Sequence, residues 1–504
     1  MNARTWPMPE AGPSLPDLAP SMRAPERQGD LFRPVFVLSL ASGLLAFLLL
    51  LDAGGYASLS SLELWGRTLL AADGAVRAPS VIAAFPPLPY LAAISTQLAL
   101  PGFGPVLLPI LSVLFFALML AGWCRAFRQE GMPRGASLAA IGLLAANPLM
   151  LRSVAEGPGW AALHAGMSML AIGLFNLRRN TRVNDVILVA LSLPVVLLSD
   201  PFGLVIAWAA IPAIALCVPG AQMRRSPAGV MMTLLFPAAF IFLGFAYSNW
   251  IFNGDPWSFL GGLDRLSVAP PPGLADLGLA VAGMLASAPI LFAILVRTRR
   301  QSGLRRATLA VTSCALLAAA LGWLTKQWPS PAQVASLALP LAMAAATRWP
   351  RNRMGDEKGI IALLAMGWLG AAFFVWNAPD AESERLRAAL TGAPIAAADA
   401  EMAALGLALM GQNDVLFDAE AAPAAIAYRG NADGIWAAST MRFRLAGMRQ
   451  FAGAKVQVVR SSRAATGADA MGRTFPALHE RGLPGYRLLH DGPDWRAWIK
   501  EDER

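Results

Sequence analysis

Pro34-Val35-Phe36-Val37-Leu38-Ser39-Leu40-Ala41-Ser42-Gly43-Leu44-Leu45-Ala46-Phe47-Leu48-Leu49-Leu50-Leu51 carries no charge and then meets Asp52, which opens the stretch Asp52-Ala53-Gly54-Gly55-Tyr56-Ala57. A helix rises about 1.5 Å per residue, so the apolar run crosses most of a hydrocarbon core of roughly 30 Å. The carboxylate that follows stands at the boundary, where a charge is costly unless it is paired or has a function. A membrane-spanning segment ending on an acid is therefore the starting point for the rest of the chain.

The same pattern recurs outward from it. Of 504 residues, 56% are hydrophobic and 14% charged, against about a quarter charged in a typical soluble domain. Apolar runs of roughly 17 to 24 residues predict an α-helical polytopic membrane protein. A β-barrel would show short alternating segments instead. The runs place about eleven transmembrane helices at residues 34–51, 105–123, 136–151, 158–177, 184–199, 201–218, 227–249, 274–296, 307–324, 331–347 and 359–376. Arginines follow alternate spans: Arg125, Arg128 and Arg134; Arg178, Arg179 and Arg182; Arg224 and Arg225; Arg297, Arg299, Arg300, Arg305 and Arg306; Arg348, Arg351 and Arg353. By the positive-inside rule those loops are cytoplasmic. The N-terminus is then cytoplasmic, and loop 52–104 and the region 377–504 are extracytoplasmic, in the periplasm of a Gram-negative cell.

Residues 1–33, rich in Pro, Ala and Arg, read as a disordered cytoplasmic tail. Residues 34–376 form the membrane domain. The net charge of +9 is explained by orientation, and no aromatic-interleaved basic groove points to nucleic acid. Cys124, Cys217 and Cys314 lie in or at the ends of apolar runs, and the histidines are His164, His479 and His490. They suggest neither a disulfide framework nor a metal centre. In loop 52–104, Leu59, Leu62, Trp65 and Leu69 recur at helical spacing opposite Ser60, Glu63 and Arg67. This predicts an interfacial helix along the membrane surface, and 88–100 reads as a second apolar segment too short to span. Residues 377–504 read as a small α/β domain. Its strands are expected at 424–428, 456–459, 486–490 and 495–499, and its helices at 381–390 and 399–410.

Two further stretches carry a resemblance. Asp52 is followed four residues on by Tyr56-Ala57, then by the amphipathic segment and Phe85-Pro86-Pro87-Leu88-Pro89-Tyr90. Later comes Tyr247-Ser248-Asn249-Trp250-Ile251-Phe252-Asn253-Gly254-Asp255-Pro256. Over residues 34–376 this resembles the GT-C membrane glycosyltransferases. These depend on polyprenyl-phosphate sugars and include the aminoarabinose transferases and protein mannosyltransferases. The resemblance implies a bacterial inner-membrane enzyme. Its donor would be a polyprenyl-phosphate-linked sugar and its acceptor an envelope lipid, glycan or protein, within membrane lipids. Asp52 would be the general base for an inverting displacement, and no cofactor is implied. The chain departs from the family at Ala53, where many members have Glu, and at Phe85, where many have Lys. Gly157-Pro158-Gly159-Trp160, with Glu156 before it, stands where many have a second Asp, and Leu198-Ser199-Asp200-Pro201 replaces a Lys-bearing turn. No divalent metal is indicated by that set.

Arg67, Arg77, Arg152, Arg265 and Lys326 are the basic residues in the loops assigned outside, and are candidates to hold the lipid phosphate. Arg152 stands beside Glu156, which either assists Asp52 in catalysis or simply pairs with Arg152. Tyr56, Glu63, Tyr90, Asn249 and Asp255 complete the candidate substrate contacts. His164 reads as a packed helix-interface histidine. Two other readings are a non-catalytic GT-C-like subunit that binds a glycolipid, and a transporter. The spans contain almost none of the mid-bilayer charges a transporter would need.

Overall fold

A computed structural model describes residues 32–179, 182–263, 272–299, 302–350, 356–449, 453–464 and 467–501. The tail expected at 1–33 lies outside these apart from Phe32 and Arg33, and Arg265 lies outside them as well. The chain is mostly helical, 73%, with a small C-terminal sheet. It is a helical multi-pass membrane protein.

The first helices are α1 (Phe32–Ala53), α2 (Leu59–Ala72), α3 (Ala78–Ile82), α4 (Pro87–Ala99), α5 (Leu107–Gln129), α6 (Arg134–Ala145), α7 (Pro148–Ala155) and α8 (Pro158–Arg179). Then come α9 (Val183–Ser199), α10 (Pro201–Cys217), α11 (Gly220–Arg225) and α12 (Pro227–Asn253). After these follow α13 (Leu274–Ser287), α14 (Pro289–Arg297), α15 (Ser302–Leu324), α16 (Pro331–Ser336), α17 (Ala338–Thr347) and α18 (Asp356–Asn377).

The eleven expected spans are corrected: among the described residues six helices are long and apolar enough to cross a membrane, or up to eight if each of two bent pairs crosses once. The pairs are α6 with α7, bent by 52°, and α13 with α14, bent by 67°. Each break falls at a proline, Pro148 and Pro289, which has no N–H for the helix ladder and crowds the preceding turn. Asn147 caps the restart of α7 by accepting from Leu149 N at 3.0 Å. The other three segments, Val183–Ser199, Pro201–Cys217 and Pro331–Thr347, are shorter apolar helices. Seventeen residues rise only about 25 Å, short of the hydrocarbon core. The apolarity of the last has another cause: every residue from Pro331 to Ala346 is buried against protein. With three segments too short, the arginine alternation no longer fixes which end of the bundle faces which side.

The C-terminal region begins with α19 (Ala381–Thr391) and α20 (Ala400–Ala408), close to the helices expected there. It continues through β1 (Val415–Leu416), α21 (Pro423–Arg429), β2 (Ile435–Trp436), α22 (Met441–Met448) and β3 (Val456–Arg460). It ends with α23 (Ala470–Thr474), α24 (Leu478–Arg481), β4 (Tyr486–Asp491) and β5 (Trp495–Lys500). The sheet order is β2-β1-β3-β5-β4. β1 runs parallel to β2 and β3, while β5 runs antiparallel to β3 and β4. Three of the expected strands form. The fourth, at 424–428, is the helix α21, because Pro423 starts a helix well, alanines sustain it and Gly430, at φ 87°, closes it.

The amphipathic α2 forms as expected, with Ser58 as its N-cap, but its apolar face lies against protein rather than along a bilayer. Trp65, Leu69 and Leu70 pack into one core with Phe417, Ala424, Ala425 and Ile426. The contact is close enough to need a glycine: a Cβ on Gly66 would lie 1.7 Å from Pro423 O. Asp73 Oδ2, just past the end of α2, accepts from Ala432 N at 2.8 Å. The C-terminal domain is therefore seated on the loop between the first two long apolar helices.

Candidate functional site

Where α1 ends, Gly55 turns the chain at φ 87° and Tyr56 folds back, its N–H donating to Leu51 O at 3.0 Å. Tyr56 is 4% exposed. Its hydroxyl donates to Glu382 Oε2 at 3.4 Å, and the Arg385 guanidinium lies over its ring at 5.4 Å. Burial first, then the negative charges of Glu382 and Glu156, hold that hydroxyl well above its ordinary pKa. Tyr56 is thus a neutral hydrogen-bond donor. Glu382 also accepts from Leu59 N at 3.1 Å and pairs with Arg385 at 3.0 Å. Helix α19 is tied in this way to the start of α2.

The corner between α7 and α8 completes this joint. Arg152 is 1% exposed and Glu156 2%. Arg152 Nη1 meets Glu156 Oε1 at 2.6 Å, Nε donates to Ser383 Oγ at 2.7 Å, and Nη2 reaches Ser330 Oγ at 3.3 Å and pairs with Asp380. The Gln333 amide donates to Glu156 Oε2, and the Glu156 carbonyl accepts from Ser58 Oγ at 2.7 Å and Ser61 Oγ at 3.1 Å. Gly157 turns the corner at φ 127°, and a Cβ there would come within 2.8 Å of Ser61 Oγ. Arg152 and Glu156 thus engage each other and six neighbouring side chains, joining α2, α7, α16 and α19. Nearby, the His164 ring is fully buried and shares a 3.1 Å hydrogen bond with Ser336.

Asp52 lies at the rim of this joint. It is exposed, and it borders a pocket of about 80 Å³ between α1, α2 and α5, walled by Leu48, Tyr56, Ser61, Trp65, Leu108 and Ser112. The pocket combines a largely apolar wall with an acid and four hydroxyls, of Tyr56, Ser58, Ser61 and Ser112, at the end of a spanning helix.

A second, larger cleft of about 230 Å³ lies further along α2, reaching α12 and the C-terminal domain. Arg67, Tyr90, Asn249, Asn253, Ser258 and Glu420 supply most of its polar wall. Arg67 Nη1 donates to Phe85 O at 3.4 Å, and Tyr90 OH donates to Arg67 O at 3.4 Å. Asn249 Oδ1 accepts from Asn253 at 2.9 Å and from Ser258 at 2.7 Å. Glu420 enters from the loop after β1. Burial raises its carboxyl above the usual range, against the lowering effect of Ser439 and Ser80 beside it. Its Oε1 is enclosed without a hydrogen-bond partner. Burial and then the Glu420 charge likewise push the Tyr90 hydroxyl upward. A buried carboxyl lining the same cleft as a guanidinium and two amides is an arrangement able to bind a sugar or phosphate.

Neither family models, nor curated proteins, nor solved structures match this chain.

The candidates read from sequence thus divide. Arg67, Tyr90 and Asn249 line one cleft, Asp52 and Tyr56 border the other pocket, and Arg152 and Glu156 form the joint behind the latter. Glu63 and Arg77 are half-buried on α2 and at the start of α3, outside both sets of lining residues. Asp255 is exposed and accepts from Trp257 N at 2.9 Å. Lys326 is exposed at φ 60°. Among the described residues no group of three or more His, Cys, Asp or Glu is placed to hold a metal. Sequence reasoning missed Asp380, Glu382 and Glu420. Asp380 and Ser383 had a signal, the spacing of an N-cap whose side chain accepts from the third residue on. Glu420 had none, since only the docking of the C-terminal domain brings it to Arg67.

Proposed function

We propose that this protein is a membrane glycosyltransferase of the GT-C type. It works at the periplasmic face of a bacterial inner membrane, taking a sugar from a polyprenyl-phosphate donor to an envelope acceptor. The observation that carries this reading is Asp52, exposed at the end of the first spanning helix on the lip of a pocket whose wall is largely apolar. A lipid-linked donor brings its phosphate and sugar to that level of the membrane. Asp52 takes the proton from the acceptor hydroxyl as its oxygen bonds to the anomeric carbon. The bond from that carbon to the phosphate oxygen breaks, and the polyprenyl phosphate leaves. Arg67 is the cation that supports the reading on the phosphate side, because Arg152 is already saturated by carboxylates and hydroxyls. Both pockets lie below the roughly 300 Å³ at which small-molecule sites begin. Donor entry therefore requires the walls to move apart; for the cleft of Arg67 the C-terminal domain, which contributes Glu420, is one of them.

A second assignment of the base is favoured by one observation: Glu420, not Asp52, shares a cleft with Arg67. The test uses membrane vesicles and a radiolabelled polyprenyl-phosphate hexose, following release of polyprenyl phosphate. Loss of at least a hundredfold in Asp52→Asn alone supports the first assignment, and the same loss in Glu420→Gln alone supports the second. If both variants release polyprenyl phosphate at the wild-type rate, transfer chemistry at this face is refuted. The remaining reading is then a subunit that binds a glycolipid without reacting it.

A further inference from the structure

A third cavity lies at the other end of the bundle. Helix α8 has 22 residues and so is about 33 Å long. Its first turn belongs to the Arg152 joint, while its last turn carries Arg178 and Arg179 into a cavity of about 440 Å³. That cavity is the largest of the three described, and it exceeds the size at which ligand sites begin. Its polar wall is Glu130 after α5, Arg178 and Arg179, Thr347 at the end of α17, and Arg348 and Trp349 after it. Phe175, Leu304 and Ala307 make its wall apolar on the bundle side.

The charges do not balance. Glu130 is shared by two guanidiniums, Arg179 at 2.9 Å and Arg348 in a closer pair. Arg348 also holds Asn176, and Arg178 donates to a backbone carbonyl, Val218 O, at 3.3 Å. Asp185, buried at the start of α9, faces Arg348 from behind the wall. Among the described residues, three guanidiniums thus stand against two carboxylates. A fourth, Arg297, lies over the Trp349 ring at 5.3 Å and is paired with Asp356 at 2.6 Å. The Arg179 side chain is 60% exposed, so its fork faces outward. Trp349 is 9% exposed, and its indole N–H is enclosed without an acceptor. A buried donor left unpaired is unfavourable, and here it borders a cavity edged with excess positive charge.

We infer that this cavity binds a phosphate-bearing anion, with Arg178 and Arg179 gripping its oxygens and the Trp349 indole donating to one of them. Arginine forks match phosphate in a bidentate geometry. Basic pockets between membrane helices suit anionic lipid headgroups, and the Phe175 and Leu304 side offers a wall for the attached chain. The same chemistry would hold a soluble diphosphate. The inference does not rest on the transferase reading, because the site is built from other residues about a membrane's thickness away.

The test uses the purified full chain in neutral detergent with two probes. Native mass spectrometry counts retained phosphatidylglycerol against phosphatidylcholine, and thermal stabilisation follows a titration with inorganic pyrophosphate. Arg178→Gln/Arg179→Gln is expected to lower binding of the effective probe at least tenfold, and Trp349→Phe several-fold. Arg179→Lys should retain part of it. Selective retention of phosphatidylglycerol identifies a lipid headgroup as the ligand, and a response to pyrophosphate identifies a soluble one. Equal retention of both lipids with no pyrophosphate response overturns the inference. So does undiminished binding in a double variant that elutes from size exclusion as the wild type does.

Discussion

Gly66→Ala probes the contact on which the polar cleft depends. The added methyl would stand 1.7 Å from Pro423 O, 2.5 Å from its carbonyl carbon and 3.2 Å from its Cα. Carbon and oxygen ordinarily approach no closer than about 3.3 Å, so α2 and α21 must separate by roughly 1.6 Å. The obstacle is backbone in the first turn of a helix, and rotating a side chain does not relieve it. Parting the helices also loosens Trp65, Leu69 and Leu70 from Ala424, Ala425 and Ile426. Overpacking a core costs typically 1–3 kcal/mol, and a rigid obstacle at half the normal separation belongs at the upper end. About 3 kcal/mol lowers the docked-to-undocked ratio by roughly 150-fold. Hydrogen exchange of the full chain in nanodiscs reads this directly: amides of 59–72 and 415–436 should exchange faster by up to two orders of magnitude, while those of α8 stay unchanged. Gly43→Ala, which meets nothing within 4 Å, is the control. Wild-type protection in both segments of Gly66→Ala would show that the two helices are not in contact, and the cleft holding Arg67 and Glu420 would lose its roof.

Arg152→Ala should destabilise the chain by about 3–5 kcal/mol, because it strands the Glu156 and Asp380 carboxylates in a buried joint; a melting temperature in detergent equal to wild type would contradict this. Arg152→Lys should fall between the two, since an ammonium cannot span four partners from one plane. Burial raises the Asp469 carboxyl to about 6, against about 3.9 in an unfolded chain. The folded state therefore holds its proton more tightly, and this stabilisation, on the order of 3 kcal/mol, is complete below about pH 4 and lost as pH rises through about 6. Amides of 456–475 should be better protected at pH 4.5 than at pH 7 after correction for intrinsic rates, and Asp469→Asn should flatten the difference. Tyr90→Phe removes the bond to Arg67 O and should lower stability by about 1 kcal/mol with little change in the melting profile's steepness.

The helices of the membrane domain were legible because apolar run length is a local property, and every segment read from it is helical. The number of spans was not, because Pro331–Thr347 is apolar for contact with protein, and composition does not distinguish protein from lipid as the apolar partner. The bends at Pro148 and Pro289 were visible as prolines, while their angles depend on what each half packs against. In the C-terminal domain the five- and six-residue strands β3, β4 and β5 were readable. The two-residue strands β1 and β2 were not, since so short a run carries no alternation. For the site, Asp52 was found because a charge ending an apolar run is conspicuous in one dimension. Glu420 and Glu382 were invisible, because each acts on residues more than three hundred positions away.

That separation bears on how the molecule is made. Asp73 and its partner Ala432 are 359 positions apart, and ribosomes add about 5–20 residues per second. Helix α2 therefore emerges roughly 20 to 70 s before Phe417, Ala424 and Ile426, the C-terminal part of the core around Trp65 and Leu69. Through that interval its apolar stripe is covered only in part, by Ala93, Leu107, Leu108 and Leu111 of α4 and α5, so the nascent chain passes through a state in which this helix is half-docked. A stop codon near residue 377 would leave that face of the helix uncovered permanently.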